Sequence, residues 1–211
     1  MNRLQSIAVA ALVGLSPAVS SDVLAQEESS YSRGEVSLAG GFQVLNQNDT
    51  GLADRFIDVP LVATYGYRLS PRWALEGEFT WLVPVKQDVD LGTGAKQERK
   101  TPDILAYQAN LRADLPVATA WSPYLAAGAG ALTVLSNTGP DRLPQLDESE
   151  TMFALDFGGG LKWGLNPRWT IRGDFRELVA FPSDQASGLS AGGSADPLWM
   201  ERATVGVGYR F

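Results

Sequence analysis

The sequence predicts an all-β fold: eight antiparallel strands closed into an up-and-down transmembrane β-barrel with short periplasmic turns and four long extracellular loops. Three observations predict it. Apolar and polar residues alternate along eight segments, three tryptophans recur at a spacing of 48 residues, and short connections alternate with long ones. Alternation at period two marks a strand with one apolar face, and a closed antiparallel sheet is one of two backbone solutions that can cross a bilayer.

The N-terminus comes first. Met1-Asn2-Arg3 carries one positive charge, Ile7 to Leu15 is apolar apart from Gly14, and Val23-Leu24-Ala25 ends in a small residue before Gln26-Glu27-Glu28. This is the plan of a secretory signal peptide cut after Ala25, and its apolar run is well short of the roughly 20 residues that a spanning helix needs. The expected organisation is a leader over 1–25 and one barrel domain over 26–211.

Eight strand-like segments follow. About 34–44, Val36, Leu38, Phe42 and Val44 oppose Glu35, Ser37 and Gln43; about 57–69, Ile57, Val59, Leu61, Tyr65 and Tyr67 oppose Asp58, Thr64 and Arg68. About 73–83, Trp73, Leu75, Phe79 and Trp81 oppose Glu76, Glu78 and Thr80, and about 104–115, Leu105, Tyr107 and Leu111 oppose Gln108, Asn110, Arg112 and Asp114. The fifth segment, about 122–134, is too rich in Ala and Gly for its faces to be assigned. About 152–165, Phe153, Leu155, Phe157 and Trp163 oppose Asp156 and Lys162; about 168–179, Trp169, Ile171 and Phe175 oppose Arg172, Asp174 and Arg176; about 200–211, Val205, Val207, Tyr209 and Phe211 oppose Arg202, Thr204 and Arg210.

The repeat explains how the segments are joined. Ser70-Pro71-Arg72-Trp73 and Asn166-Pro167-Arg168-Trp169 are near-copies, and Pro beside Ser or Asn is turn chemistry. Links near 69–72, 116–121 and 165–168 are short or moderate, whereas those near 45–56, 85–103, 135–150 and 180–199 are long. In barrels of this kind the short turns face the periplasm and the long loops face outward.

The apolar face carries bulky rings, and eight strands leave an interior just wide enough for side chains, so the rings belong outside, against lipid. Trp73 and Trp81, eight residues apart, span roughly 20 Å of height on a tilted strand, close to the apolar band of such barrels. Trp73, Trp81, Trp121, Trp163, Trp169, Tyr209 and Phe211 are therefore expected at the membrane interfaces.

The opposite face then fills the lumen. Its acids are Glu35, Asp58, Glu76, Glu78, Asp114, Asp156 and Asp174, and its bases are Arg68, Arg112, Lys162, Arg172, Arg176, Arg202 and Arg210, seven of each sign. Isolated charges in a narrow interior are costly, so balanced signs predict a cross-linked plug rather than an open channel. Glu76 and Glu78 are expected to be bridged by arginines of the flanking strands, Arg68 and Arg112.

Composition narrows the function. The chain has no cysteine for a disulfide or a thiolate metal site and no histidine, and its net charge of −7 argues against a nucleic-acid partner. No catalytic, cofactor or metal residue is expected. Gly188-Leu189-Ser190-Ala191-Gly192 matches a nucleophile-elbow string but lacks a histidine base. Asp88 and Asp90 resemble the start of a calcium loop whose later ligands do not follow. The glycine runs 128–130 and 158–160 lack the Lys-Ser/Thr pair of a phosphate loop and are read as making room for lumen side chains. Glu76 with Glu78 could imitate a glycosidase pair, but nothing indicates a sugar cleft.

Ser122-Pro123-Tyr124-Leu125-Ala126-Ala127-Gly128-Ala129-Gly130, Gly158-Gly159-Gly160-Leu161-Lys162-Trp163, Asn166-Pro167-Arg168-Trp169 and the terminal Val205-Gly206-Val207-Gly208-Tyr209-Arg210-Phe211 carry a resemblance. The chain resembles the small eight-stranded outer-membrane β-barrels, OmpA-like and opacity-type, of Gram-negative bacteria. The resemblance implies a place in the outer membrane, contact with its lipid, and recognition of the terminal strand ending at Phe211 by the barrel-assembly machinery. Such families often add a peptidoglycan-binding domain after the barrel, and none is expected here. The function expected is structural and adhesion-like, with ligands met at the loops. The alternative is a small pore or passage for small or hydrophobic solutes.

Overall fold

The computed structural model describes residues 33–46, 55–90, 96–115, 121–139, 147–182 and 197–211. The expected leader and the string at 188–192 lie outside the described residues, as do parts of the long connections.

Ten strands are described: β1 (Gly34–Asn46), β2 (Arg55–Arg68), β3 (Trp73–Pro84), β4 (Gln87–Asp90), β5 (Lys96–Arg99), β6 (Ile104–Asp114), β7 (Trp121–Val134), β8 (Glu150–Gly164), β9 (Trp169–Phe181) and β10 (Leu198–Arg210). Eight of them close into a barrel in the order β1-β10-β9-β8-β7-β6-β3-β2, with antiparallel neighbours throughout. The seam between the first and last strands runs from Glu35 opposite Arg210 to Asn46 opposite Trp199. Closure leaves the barrel no free edge.

The long connection over 85–103 carries secondary structure of its own, because β4 and β5 pair as a two-stranded hairpin outside the barrel sheet. Asp88 and Asp90 therefore lie on a strand, not in an open loop.

The two near-copies at 70–73 and 166–169 make the same turn. Ser70 Oγ accepts from the amides of Arg72 (3.3 Å) and Trp73 (3.1 Å), and Asn166 Oδ1 accepts from those of Arg168 (2.9 Å) and Trp169 (2.8 Å). Each turn is closed by a backbone bond, from Leu69 N to Trp73 O at 2.9 Å and from Leu165 N to Trp169 O at 3.0 Å. A side-chain oxygen placed to receive two turn amides is why Ser and Asn stand there.

Strand parity separates the two faces. Along β3, exposed and buried residues alternate from Trp73 outside and Ala74 inside to Trp81 outside and Leu82 inside. β7, whose faces the sequence left open, buries Tyr124, Ala126, Leu132 and Val134 and turns Leu125 outward.

The interior has two storeys, where the charge pattern alone predicts one. At the end bearing the long connections, Leu82, Ile104, Leu132, Met152, Leu178 and Met200 belong to one buried apolar cluster. Toward the short turns the interior is ionic. The physical reason is that inward parity continues past the charged residues into apolar ones, as from Glu78 through Thr80 to Leu82 on β3.

Candidate functional site

The ionic storey is the candidate site. Glu76, on β3, sits at its centre and is 1% exposed. Arg112 of the adjacent β6 donates to Glu76 Oε1, and Arg172 of β9 reaches the same oxygen at 3.4 Å. Arg176, also on β9, places Nη2 3.8 Å from Glu76 Oε2. Four strand positions separate β3 from β9 in either direction around the barrel. One carboxylate thus ties opposite walls together.

The remaining charges extend the lattice. Arg172 grips Asp174 with two bonds, 2.7 and 3.0 Å, Arg176 donates to Asp156 at 2.8 Å, and Arg112 donates to Asp114 at 2.8 and 3.1 Å. Lys162 of β8 reaches Glu35 of β1 at 2.7 Å, and Arg210 lies 3.5 Å from the same carboxylate. Fork-to-carboxylate pairs of this kind are the strong, directional form of the ionic hydrogen bond. Enclosure also spares these groups the hydrocarbon, where an Arg or Lys at the midplane costs about 2–4 kcal/mol.

The partners expected for Glu78 and Arg68 need correction. Glu78 is held by Arg202 of β10, with Nη2 to Oε1 at 2.5 Å, and Arg202 also donates to Thr80 at 2.7 Å. β10 does not flank β3; the barrel's curvature brings the two together across the interior. Arg68 is placed against Asp114 at 3.7 Å. Asp58 stands apart from the lattice, near the apolar storey, where its carboxylate accepts from Thr101 Oγ1 at 2.6 Å with both residues buried.

Sequence reading missed Tyr124. Its hydroxyl donates to Asp174, and the cations of Arg112, Lys162 and Arg172 lie 5.7, 5.7 and 5.4 Å from its ring centroid. Three cations around one ring make it an uncharged hub of the ionic storey. Tyr124 faces Gly160 across the β7–β8 pairing, and a Cβ on Gly160 would run into the tyrosine hydroxyl. An aromatic residue opposite a glycine run was the available signal.

The outer face carries the rings. Trp73, Trp81, Trp121, Trp163, Trp169 and Phe211 are exposed and Tyr209 is half-exposed. Trp121 stacks on Trp163 at 5.2 Å, and Trp169 meets Tyr209 edge-on at 5.1 Å, both near the short turns. Trp81 is at the other end, where Trp199, Phe153 and Phe181, not among the rings expected at the interfaces, share its level. Between the two ends Gly77, Ala109 and Ala129 align across three adjacent strands to form an apolar waist.

A closed eight-stranded antiparallel barrel with exposed rings and enclosed ions is matched by one family description. The model of the outer membrane protein beta-barrel domain fits residues 7–211. The chain belongs to that family. As an outer membrane protein beta-barrel domain it resides in the Gram-negative outer membrane, in contact with lipid. Among solved structures it is similar to neisserial surface protein A, at 13% identity over 85% of this chain and 98% of that one, with a TM-score of 0.59. It is also similar to the N-terminal β-barrel domain of OprF from Pseudomonas aeruginosa, at 13% identity over 84% of this chain and 96% of that one, with a TM-score of 0.52. At such identities the likeness is one of fold. No curated protein matches the chain closely enough to count as a relative.

Proposed function

We propose that this outer-membrane barrel is a non-conducting structural and surface-interaction protein. Its short turns face the periplasm, and its long connections meet partners outside the cell. The observation that carries the reading is the convergence of Arg112, Arg172 and Arg176 on Glu76, which spans the interior from wall to wall beneath an apolar storey. An ion would have to break several buried pairs and then cross a layer of Leu and Met side chains. In this reading the exposed rings anchor the barrel in lipid, and the terminal strand ending at Phe211 is what the assembly machinery engages.

The test is conductance of the purified protein in planar bilayers. Silence is expected from the native protein. Steady single-channel steps would overturn the plug and favour a passage for small solutes.

A further inference from the structure

At the long-connection end, part of the barrel mouth is covered by the chain itself. Between β5 and β6 the chain runs through Thr101-Pro102-Asp103, and Thr101 and Pro102 are buried although they belong to a connection. Pro102 has no amide proton to satisfy and keeps Thr101 extended, which suits a short segment laid against other strands. Three bonds pin it. Thr101 Oγ1 donates to Asp58 of β2 at 2.6 Å, Trp81 Nε1 of β3 donates to Asp103 Oδ1 at 3.3 Å, and the Leu135 amide, just past β7, donates to Asp103 O at 2.9 Å.

Beside this segment the apolar storey is incomplete. Its members come from β3 and from β6 to β10, with the partly buried Leu45 added from β1, whereas β1 and β2 turn Gln43 and Asp58 inward at 3% and 2% exposure. Asp58 is thus an enclosed acid, and its donors are neutral: the Thr101 hydroxyl and the Val85 amide. The charged group that acts on it is Asp103, a second acid on the same segment. The neighbouring strands face it with Gln43 on β1 and Pro84 on β3. Behind Gln43, Arg202 is taken up by Glu78 and Thr80, while on the side of the hairpin Lys86 is paired with Glu98 at 3.2 Å and Lys100 is half-buried. An enclosed carboxylate without a counter-ion is costly, and a proton removes the cost. Once uncovered, the same carboxyl meets water and carries its charge freely.

We propose that the 101–103 segment is a proton-operated latch: it stays shut over Gln43 and Asp58 while Asp58 is protonated, and it lifts, with the β5 strand that leads into it, when Asp58 ionises. The open population therefore rises with pH, by up to about tenfold per pH unit for one linked proton. The ionic storey is left in place, so the inference does not depend on whether the interior conducts.

The chain has no cysteine, so a single one introduced under the latch reports its opening. Gln43→Cys in the purified, detergent-solubilised barrel is treated with a water-soluble maleimide. Its labelling rate is divided by that of Arg72→Cys, an exposed turn position at the other end, which cancels the effect of pH on the thiol itself. The ratio should rise at least about tenfold between mildly acidic and mildly alkaline buffer. Adding Asp58→Asn, which keeps the shape and an acceptor oxygen but cannot ionise, should hold the ratio at its acid value throughout. Should Gln43→Cys fail to fold, the indole N–H resonance of Trp81, bonded to Asp103, replaces it: it should move with pH in the native chain and stay fixed in Asp58→Asn. The latch is overturned if the ratio is the same at both pH values, if Asp58→Asn leaves its rise intact, or if the Trp81 resonance titrates alike in both proteins.

Discussion

Arg202 reaches from β10 across the interior to Glu78 on β3, Nη2 to Oε1 at 2.5 Å, with β1 and β2 lying between their strands in the wall. Each side chain is almost wholly enclosed, at 4% and 3% exposure. Removing one member strands the other. Arg202→Ala should therefore cost about 3–5 kcal/mol of stability, and the double variant Arg202→Ala with Glu78→Gln should recover part of it. Urea unfolding in lipid vesicles, followed by tryptophan fluorescence, measures both. A double variant no more stable than the single one would mean that the two groups are not coupled.

Gly160 and Tyr124 share one space. Gly160→Ala puts a methyl group against the tyrosine hydroxyl and the Gly173 carbonyl, so a loss of about 1–3 kcal/mol from overpacking is expected. Tyr124→Phe keeps the ring but leaves Asp174 without its hydroxyl donor, with an expected loss of about 1–3 kcal/mol. The same unfolding assay ranks them, and native stability in Gly160→Ala would show that the strand shifts freely there.

The outer waist tests which face meets hydrocarbon. Ala109 lies mid-strand between Gly77 and Ala129, whereas Leu115 lies just past the end of β6. Ala109→Arg is expected to destabilise by roughly 2–4 kcal/mol and Leu115→Arg by roughly 0–1 kcal/mol, following depth in the bilayer. Equal effects in vesicle unfolding would contradict a lipid-facing waist.

The matched turns should respond alike. Ser70→Ala and Asn166→Ala each remove an acceptor for two backbone amides, and each should cost about 1 kcal/mol. Denaturation midpoints of the two variants, compared with the native protein, provide the check.

Removal of the leader is a prediction about mass. Protein extracted from outer membranes should begin at Gln26, as read by intact-mass spectrometry. A chain retaining Met1 would sink the cleavage expectation.

How far the sequence could be read depended on side-chain contrast. The strand order and the outward side of Trp73, Phe79 and Trp163 were legible because large rings alternate with charges. β7 was opaque because Ala126, Ala127 and Ala129 look the same from either side, and Tyr124 was lost in that ambiguity. The apolar storey was overlooked because Leu82, Met152 and Met200 resemble lipid-facing residues by type and differ only in parity. The pairing of Glu78 with Arg202 was beyond reach, since contacts across the interior depend on how strands are staggered at closure, which period-two patterning does not encode.

The ion pairs that cross the interior impose a condition on biogenesis. Glu35 with Lys162, Glu78 with Arg202 and Glu76 with Arg172 each join strands that are not neighbours in the wall. None of these three pairs can form within a single hairpin, and a half-finished sheet would bring their unmatched ions to the acyl chains. Entry into the bilayer and curling of the wall onto itself therefore have to proceed as one concerted event, with the final strand arriving before the fatty interior is fully engaged.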